Sequence, residues 1–155
     1  MRLWRLSGVQ HALSFDGGYG LLFEGRWNLI GRPVTYCATS PSLCILEKLV
    51  HIEDPALLPD LMMLCYDAPD AFVVDQQKLS DLPDTWREHE TMTQEICEAW
   101  LAGGTAPLLR VPSAIVPLPD SPDLNLLINH RHPDVGRITL SSAEPFALDA
   151  RLFTL

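Results

Sequence analysis

Apolar and polar positions along the chain predict strands near both ends and helices between them. Residues 2–6 alternate loosely between basic and apolar side chains, which predicts a first strand. The glycine-rich segment 16–20 predicts a flexible loop. Residues 33–38 are rich in β-branched and aromatic side chains, so we expect a second strand with Val34 and Tyr36 on one face. Further strands are predicted by the same pattern at 61–66, 71–74 and 107–117 and near Ile138 and Phe146.

The segment from Ser40 to His51 is predicted to be a helix, with Ser40 as its N-cap and Pro41 in its first turn. At about 100° per residue its apolar side chains form one broad face. These side chains are Leu43, Leu46, Leu49 and Val50. Glu47 lies at the border of that face, so its carboxylate is expected to be neither core nor fully exposed. This position makes Glu47 a candidate functional residue.

A second helix is predicted to begin near Thr91, which has capping-box spacing with Gln94, and to end at the Gly103-Gly104 pair. Beyond it, the strand at 107–117 is interrupted by proline, which places Ser113 at a kink or strand end. At 155 residues the chain has the commonest size of one domain. The order of elements predicts a single α+β domain over residues 1–155.

Composition and charge narrow the classes of function. The net charge of -9 disfavours nucleic-acid binding, because that binding depends on Lys and Arg neutralising phosphates. The four cysteines (Cys37, Cys44, Cys65 and Cys97) form no C-x-x-C pair and lie among apolar residues, which predicts reduced, buried thiols. No stretch approaches the roughly 18 apolar residues of a membrane span, and the first residues lack a signal-peptide pattern. We therefore expect a cytoplasmic protein that does not enter the membrane.

Familiar motifs for nucleotide, metal and nucleophile chemistry are absent or incomplete. The segment Gly18 to Phe23 lacks the third glycine of a dinucleotide fingerprint, and no Walker A sequence occurs. His130, His132 and Asp134 lack the further ligands of a closed metal site, so no metal is expected. Ser113 follows a proline and has no nucleophile elbow around it, which argues against a serine hydrolase.

The remaining polar residues at strand ends and helix borders fit cleavage of the bond between ribose and nicotinamide in NAD. They are Arg5, Arg26, Tyr36, Glu47, Ser113, Asn125 and Asn129. Arginine binds a diphosphate through paired N–H groups, and a tyrosine ring can stack on nicotinamide. One carboxylate can stabilise the ribosyl cation and orient the attacking group, while serine or asparagine holds the ribose or carboxamide. Each of these residues, taken singly, also fits an ordinary structural role.

The order and spacing of several segments resemble the RES domain family, the toxin half of bacterial RES–Xre toxin–antitoxin pairs. The similar segments are Trp4-Arg5, Gly25-Arg26-Trp27-Asn28, Val34-Thr35-Tyr36, Ser40-Pro41, Leu46-Glu47-Lys48-Leu49-Val50-His51, Leu109-Arg110-Val111-Pro112-Ser113, Asn125-Leu126-Leu127-Ile128-Asn129, His132-Pro133-Asp134 and Asp149-Ala150-Arg151-Leu152. Together they span nearly the whole chain. Leu29-Ile30 and His130 depart from the family pattern, in which proline often stands at those places. These departures leave the loop shape, and hence the ribosyl acceptor, open.

The resemblance implies a compact fold akin to diphtheria-toxin-type ADP-ribosyltransferases, and an activity that depletes NAD by hydrolysis or phosphorolysis and so arrests growth. It implies catalytic roles for Arg26, Tyr36, Glu47 and Ser113. It likewise implies NAD-binding roles for Arg5, Arg26, Tyr36, Ser113 and Asn125. An Xre-type antitoxin that blocks the NAD site is a further implication, and a homodimer within a larger toxin–antitoxin complex is compatible with the resemblance.

Two other functions stay open at the level of sequence. The same site would serve an ADP-ribosyltransferase that modifies a host protein, since only the acceptor differs. A non-catalytic module whose acidic surface docks a basic partner is the alternative from another class. Substitution of Arg26 or Glu47 tests the docking alternative. In a docking module, either substitution would leave growth inhibition and NAD levels unchanged.

Overall fold

The computed structural model describes residues 1–154 and is built around a seven-stranded sheet. The strands are β1 (Arg2–Gly8), β2 (Val34–Ala38), β3 (Leu61–Asp67), β4 (Val74–Gln76), β5 (Leu108–Pro112), β6 (Leu124–Asn129) and β7 (Thr139–Phe146). Their order across the sheet is β4-β5-β6-β2-β1-β3-β7, and neighbouring strands are antiparallel except for the parallel pair β4 and β5. The predicted single α+β domain is thereby confirmed for the described residues.

Within residues 1–154, four α-helices and several 3-10 turns accompany the strands. The α-helices are α1 (Val9–Ala12), α2 (Gly18–Leu22), α3 (Pro41–Leu49) and α4 (Glu90–Gly103). The 3-10 turns are Pro55–Leu57, Leu79–Asp81, Trp86–Glu88, Pro133–Arg137 and Ala150–Phe153. Among residues 1–154, no helix is both long and apolar enough to cross a membrane.

Side-chain alternation along the strands divides the core between the two faces of the sheet. One face, which α1 covers, buries Leu3, Leu64, Tyr66, Leu108, Leu126 and Ile128. The opposite face buries Val34, Leu109, Val111 and Leu127 against Trp27, Trp86 and Trp100. Farther along that second face, Leu43 and Cys44 of α3 pack on Ala38 and Met63. We call this second face the α3/α4 face, because it lies beneath those two helices.

The predicted strands at 2–6, 33–38 and 61–66 are confirmed. The strand predicted at 107–117 is confirmed only over Leu108–Pro112, so it ends before Ser113 and residues 114–117 form no strand. The strand expected at 71–74 begins only at Val74, because the Phe72 N–H donates to Pro69 O and closes a turn there. The region predicted to contain two separate strands, near Ile138 and Phe146, forms one long strand, β7. Helix α2 lies partly within the segment expected to be a flexible loop.

The predicted helix ends are confirmed in two places and wrong in two, since α3 already ends at Leu49 rather than at His51. Ser40 caps α3, since its Oγ accepts from the Leu43 N–H, and Gly104 ends α4 in the left-handed conformation with φ 60°. The capping box at Thr91 and Gln94 is wrong, because α4 begins at Glu90. Gln94 instead uses its side chain to hold a distant loop, as described below.

The predicted apolar face of α3 is also partly wrong. Leu43 is buried, whereas Leu46 and Val50 are exposed at 39% and 60%. Cys44 takes the buried position that Leu46 was expected to have. The helix is therefore rotated relative to the prediction, and the side of the helix that carries Leu43, Cys44 and Glu47 faces the sheet. The cysteines themselves agree with expectation, since Cys37, Cys44, Cys65 and Cys97 are free and buried.

Candidate active site

Glu47 reaches the sheet from α3. The helix is fixed at its start by the Ser40 cap and by a hydrogen bond from Ser40 Oγ to Asp123 Oδ1 of 2.7 Å. Leu43 and Cys44 seat its first turn on the α3/α4 face. Glu47 follows these two buried residues at spacings of four and three, so it lies on the same side of the helix. The residue is half-buried, and its carboxylate reaches the end of β5 and the start of β6.

Two side chains donate hydrogen bonds to the same oxygen of Glu47. Ser113 Oγ donates to Glu47 Oε1 at 2.9 Å, and Asn125 Nδ2 donates to that oxygen at 2.6 Å. Ser113 follows the end of β5 and Asn125 lies near the start of β6, which pairs with β5. Within residues 1–154, Glu47 Oε2 receives no hydrogen bond. The carboxylate is thus oriented through one oxygen and can use the other.

Ser113 also builds the turn that follows β5. Its Oγ accepts hydrogen bonds from the N–H groups of Ile115 and Val116, at 3.0 and 3.2 Å, and the residue is fully buried. The hydroxyl proton is therefore committed to Glu47, while the lone pairs are committed to the turn. This arrangement makes Ser113 a positioning residue for the carboxylate and gives no geometry for a serine nucleophile.

Tyr36 lies on the α3/α4 face beside this cluster. It pairs with Leu127, two residues from Asn125 on the same strand, so Tyr36 and Asn125 are diagonal neighbours on one face. The Tyr36 hydroxyl donates to Asn28 Oδ1 at 2.7 Å and accepts from the Trp27 N–H at 3.2 Å. Burial raises the pKa of Tyr36, which keeps the phenol neutral. The hydroxyl fixes the loop 25–28, while the ring borders the site.

The loop 25–28, which we call the arginine loop, is held tightly against α4. Thr93 Oγ1 donates to Arg26 O, and Gln94 Nε2 donates to Gly25 O at 2.9 Å. A Cβ at Gly25 would lie 2.8 Å from both Asn28 Oδ1 and Tyr36 Oη. The absence of a side chain at Gly25 therefore lets the arginine loop approach Tyr36.

The Arg26 side chain extends along the 3-10 turn Trp86–Glu88. Its Nη1 donates to Arg87 O at 3.0 Å, its Nη2 lies 3.6 Å from Glu90 Oε1, and its guanidinium lies over the Trp86 ring at 5.6 Å. A quarter of the side chain is exposed. The charge is thus fixed in direction but open to an anion, and its one acidic neighbour is itself solvent-accessible.

The structure brings some of the predicted site residues together and leaves two apart, Arg5 and Asn129, of which Asn129 lies at the opposite end of β6 from Asn125. Glu47, Ser113 and Asn125 are joined directly, and Tyr36 links this cluster to the arginine loop. Arg5 lies on the other face of the sheet, paired with Leu64, and its Nη1 donates to Ser14 O at 2.8 Å. An NAD-binding role for Arg5 stays a prediction, and it would require the ligand to reach around the sheet.

The three residues weighed as a metal site make separate interactions. His130 Nε2 lies 2.8 Å from Thr35 Oγ1, and burial lowers the pKa of His130 to about 4. His132 Nδ1 accepts from the Asp134 N–H at 3.1 Å and caps the turn that follows. In the described part of the chain, no group of three or more His, Cys, Asp or Glu side chains is placed to hold a metal ion.

Arg87 was not among the residues singled out from the sequence. Its carbonyl holds Arg26, and its own Nη1 lies 3.5 Å from Ala114 O, next to Ser113. It stands in a polar connection without hydrophobic periodicity, so the pattern along the chain gave no reason to select it. In the structure, the burial of Trp86 fixes the turn Trp86–Glu88 on the core and so places Arg87 beside the site.

Comparison with known proteins finds a matching family model and several relatives. A family model described as the RES domain matches residues 2–149. Two relatives called Toxin Res, from Pseudomonas putida and Photorhabdus laumondii, are 39% and 37% identical and are matched over 99% and 98% of this chain and 100% and 97% of their own length. A relative from Sphingobium sp. called Prs ADP-ribosylating toxin is 28% identical over 96% of this chain and 94% of its own.

A solved structure shares the fold. A chain of the crystal structure of the M. tuberculosis MbcT–MbcA toxin–antitoxin complex superposes with a TM-score of 0.74 at 16% identity, covering 94% of this chain and 84% of that one. At this identity the likeness concerns the fold alone. Together with the relative called an ADP-ribosylating toxin, it agrees with the predicted α+β fold of ADP-ribosyltransferase type.

Proposed function

The chain belongs to the RES domain family, and from this premise we propose that it is an enzymatic toxin that cleaves the bond between nicotinamide and ribose in NAD. The observation that carries the proposal is the orientation of Glu47. Ser113 and Asn125 hold Oε1, which leaves Oε2 to act on a substrate. A half-buried carboxylate fixed in this way stabilises positive charge better than a mobile one in water.

The chemistry requires one bond to break and one to form. The bond between the ribose anomeric carbon and the nicotinamide nitrogen breaks, and its electron pair stays on nicotinamide, which leaves as a neutral molecule. The ribosyl carbon gains cationic character, and Glu47 Oε2 stabilises that charge. Water or phosphate then attacks the same carbon, and the proton that water gives up passes to Glu47 or to solvent. Nicotinamide needs no proton to leave, so one carboxylate suffices where ordinary glycosidases use two.

The other residues of the site bind and orient in this proposal. Arg26 binds the diphosphate, which explains how a protein of net charge -9 attracts an anionic substrate. The Tyr36 hydroxyl is already engaged with the arginine loop, so the ring is the part of Tyr36 left to contact the substrate. In this proposal the ring stacks on nicotinamide. Asn125, which donates a hydrogen bond to Glu47, contacts the ribose as well in this proposal.

Transfer of ADP-ribose to a protein is the second candidate function. It is favoured by the relative from Sphingobium sp. called Prs ADP-ribosylating toxin. The bond that breaks is the same, and only the nucleophile differs. Incubation of purified protein with NAD, with and without phosphate, and with a cell lysate distinguishes the acceptors. Free ADP-ribose indicates water, a phosphorylated ADP-ribose indicates phosphate, and an adduct on one protein indicates transfer.

An antitoxin partner is part of the proposal. It is supported by the shared fold with a chain of the MbcT–MbcA toxin–antitoxin complex. We propose an Xre-type antitoxin that covers the NAD site, a homodimer within the larger complex, and action in the cytoplasm. Co-expression with a candidate Xre-type antitoxin, followed by measurement of the mass of the complex, tests the first two points.

A further inference from the structure

A narrow groove lies on the α3/α4 side of the molecule, beside the turn that carries Arg87. It has a volume of about 190 Å³. Leu79, Pro83 and Pro117 line it with apolar atoms, and the buried side chains of Leu82 and Trp86 form its floor. Asp84 and Arg87 supply the charged groups. Sites for drug-sized ligands are usually larger than about 300 Å³, so this groove fits one part of a dinucleotide rather than the whole.

Arg87 connects the groove to the candidate active site. Its carbonyl accepts from Arg26 Nη1 at 3.0 Å, and its own Nη1 lies 3.5 Å from Ala114 O. Ala114 follows Ser113, which donates to Glu47. Contacts therefore lead from Glu47 through the turn at Ser113 and Ala114 to Arg87, which borders the groove and also holds Arg26.

A larger cavity, of about 270 Å³, is less suited to the same ligand. Its Arg32 is already neutralised by Glu98 through two hydrogen bonds of 2.7 Å each. Asn129, which also lines it, lies at the opposite end of β6 from Asn125. Four residues of extended strand separate them by roughly 13 Å, away from Glu47.

We propose that the groove binds the adenosine half of NAD, an inference that rests on the proposed NAD cleavage. Arg87 shares the diphosphate with Arg26, and the adenine ring lies between the proline and leucine side chains. Asp84 accepts a hydrogen bond from the 6-amino group of adenine. A carboxylate is an acceptor only, so it favours an amino group at this position over an oxo group. The groove thus selects an adenine dinucleotide and adds binding energy remote from the bond that breaks.

The first experiment compares NAD with nicotinamide mononucleotide, which has the same scissile bond but lacks the adenylate. Nicotinamide release by the wild-type protein should be at least about 100-fold less efficient, as kcat/KM, for the mononucleotide. Arg87→Ala should lower kcat/KM for NAD about tenfold, mainly through KM, and should affect the mononucleotide less. The substitution leaves the Arg87 carbonyl, and hence its bond to Arg26, in place.

The second experiment uses the dinucleotide with hypoxanthine in place of adenine, which carries an oxo group where adenine has the amino group. The wild-type protein should prefer NAD, and Asp84→Asn should reduce or reverse that preference, because its amide can donate to the oxo group. Asp81→Asn, an exposed neighbour outside the groove, is the matched control and should keep the preference.

The outcomes separate this inference from the proposed function. If the mononucleotide is cleaved as efficiently as NAD, or if Arg87→Ala affects both substrates equally, the adenosine groove is overturned while NAD cleavage stands. If the folded wild-type protein releases no nicotinamide from either substrate, both the groove and the proposed function are overturned.

Discussion

The Ser113 hydroxyl donates to Oε1 of Glu47 at 2.9 Å, which couples the turn after β5 to the last turn of α3 across 66 residues of sequence. The same hydroxyl oxygen accepts from two backbone N–H groups of its own turn. A single buried side chain therefore orients the carboxylate and shapes the backbone beside it. This double role leads to the first prediction.

Ser113→Ala should lower both stability and activity. The N–H groups of Ile115 and Val116 would lose their acceptor, which costs about 1–3 kcal/mol in the free energy of unfolding. Because Glu47 would lose one of its two orienting bonds, kcat for nicotinamide release should fall more than KM rises. Urea denaturation and steady-state kinetics measure the two effects. Ser42→Ala, at an exposed position on α3, is the control, and equal behaviour of the two variants would contradict a positioning role for Ser113.

Gly25→Ala should disrupt the contact between the arginine loop and Tyr36. The added Cβ would lie 2.8 Å from Tyr36 Oη and from Asn28 Oδ1, so their hydrogen bond must lengthen or the loop must move. We expect KM for NAD to rise, because Arg26 follows this glycine directly. Gly136→Ala is the matched control, since a Cβ there meets nothing within 4 Å. Unchanged kinetics in Gly25→Ala would show that the arginine loop does not set the position of Arg26.

Glu90→Gln should make the protein bind NAD more tightly. Glu90 Oε1 lies 3.6 Å from Arg26 Nη2 and competes with a diphosphate for that guanidinium. Glu90 is more than half exposed, so the pair is weak and the expected decrease in KM is about two- to fivefold. Glu88→Gln, on the neighbouring turn, controls for the change in overall charge. A rise in KM for Glu90→Gln would mean that Glu90 positions Arg26 rather than competing for it.

Half-buried His130 should make stability depend on pH between neutral and mildly acidic conditions. Burial lowers its pKa to about 4, below the 6.5 of an unfolded chain, so the unfolded state binds the extra proton first. The contribution of neutral His130 is complete above about pH 6.5 and decreases as the pH falls toward 4. The free energy of unfolding should drop by on the order of 1 kcal/mol between pH 7 and pH 5.

Urea denaturation at pH 7 and pH 5 tests this dependence. His130→Gln should show a smaller decrease than the wild-type protein over the same range. His51→Gln, at an exposed position after α3, is the control and should keep the full decrease. If His130→Gln loses as much stability as the wild-type protein, another group causes the dependence.

The sequence was sufficient to predict the elements that carry Glu47 and Ser113, because their boundaries depend on local chemistry. The Ser40 cap begins α3, and Pro112 ends β5 just before Ser113. The half-buried position of Glu47 was also predicted from periodicity. The hydrogen bond between Ser113 and Glu47 was not predictable from these patterns, since it depends on how α3 packs on the sheet.

Other features required the strand register and long-range packing. Trp4 pairs with Ala38, so Arg5 points to the face opposite Tyr36, and no local pattern reveals which face a basic strand residue takes. Leu46 and Val50 are as apolar as Leu43 yet exposed. Periodicity did not predict this difference, because it identifies an apolar stripe on a helix but not which part of the stripe packs on the sheet. Arg87 lies at the site because its neighbour Trp86 is buried in the core on the α3/α4 face. That contact is between residues distant in sequence, so no local pattern predicts it.

Nicotinamide release by Glu47→Gln, compared with the wild-type protein, tests the central claim most directly. Glutamine keeps an oxygen that Ser113 and Asn125 can bond but removes the charge that stabilises the ribosyl cation. Glu53→Gln, an exposed carboxylate beyond α3, is the control. The account predicts that the wild-type protein and Glu53→Gln release nicotinamide from NAD, and that folded Glu47→Gln does so at least about 100-fold more slowly. Equal release by Glu47→Gln and the wild-type protein, or no release by any of the three, would contradict it.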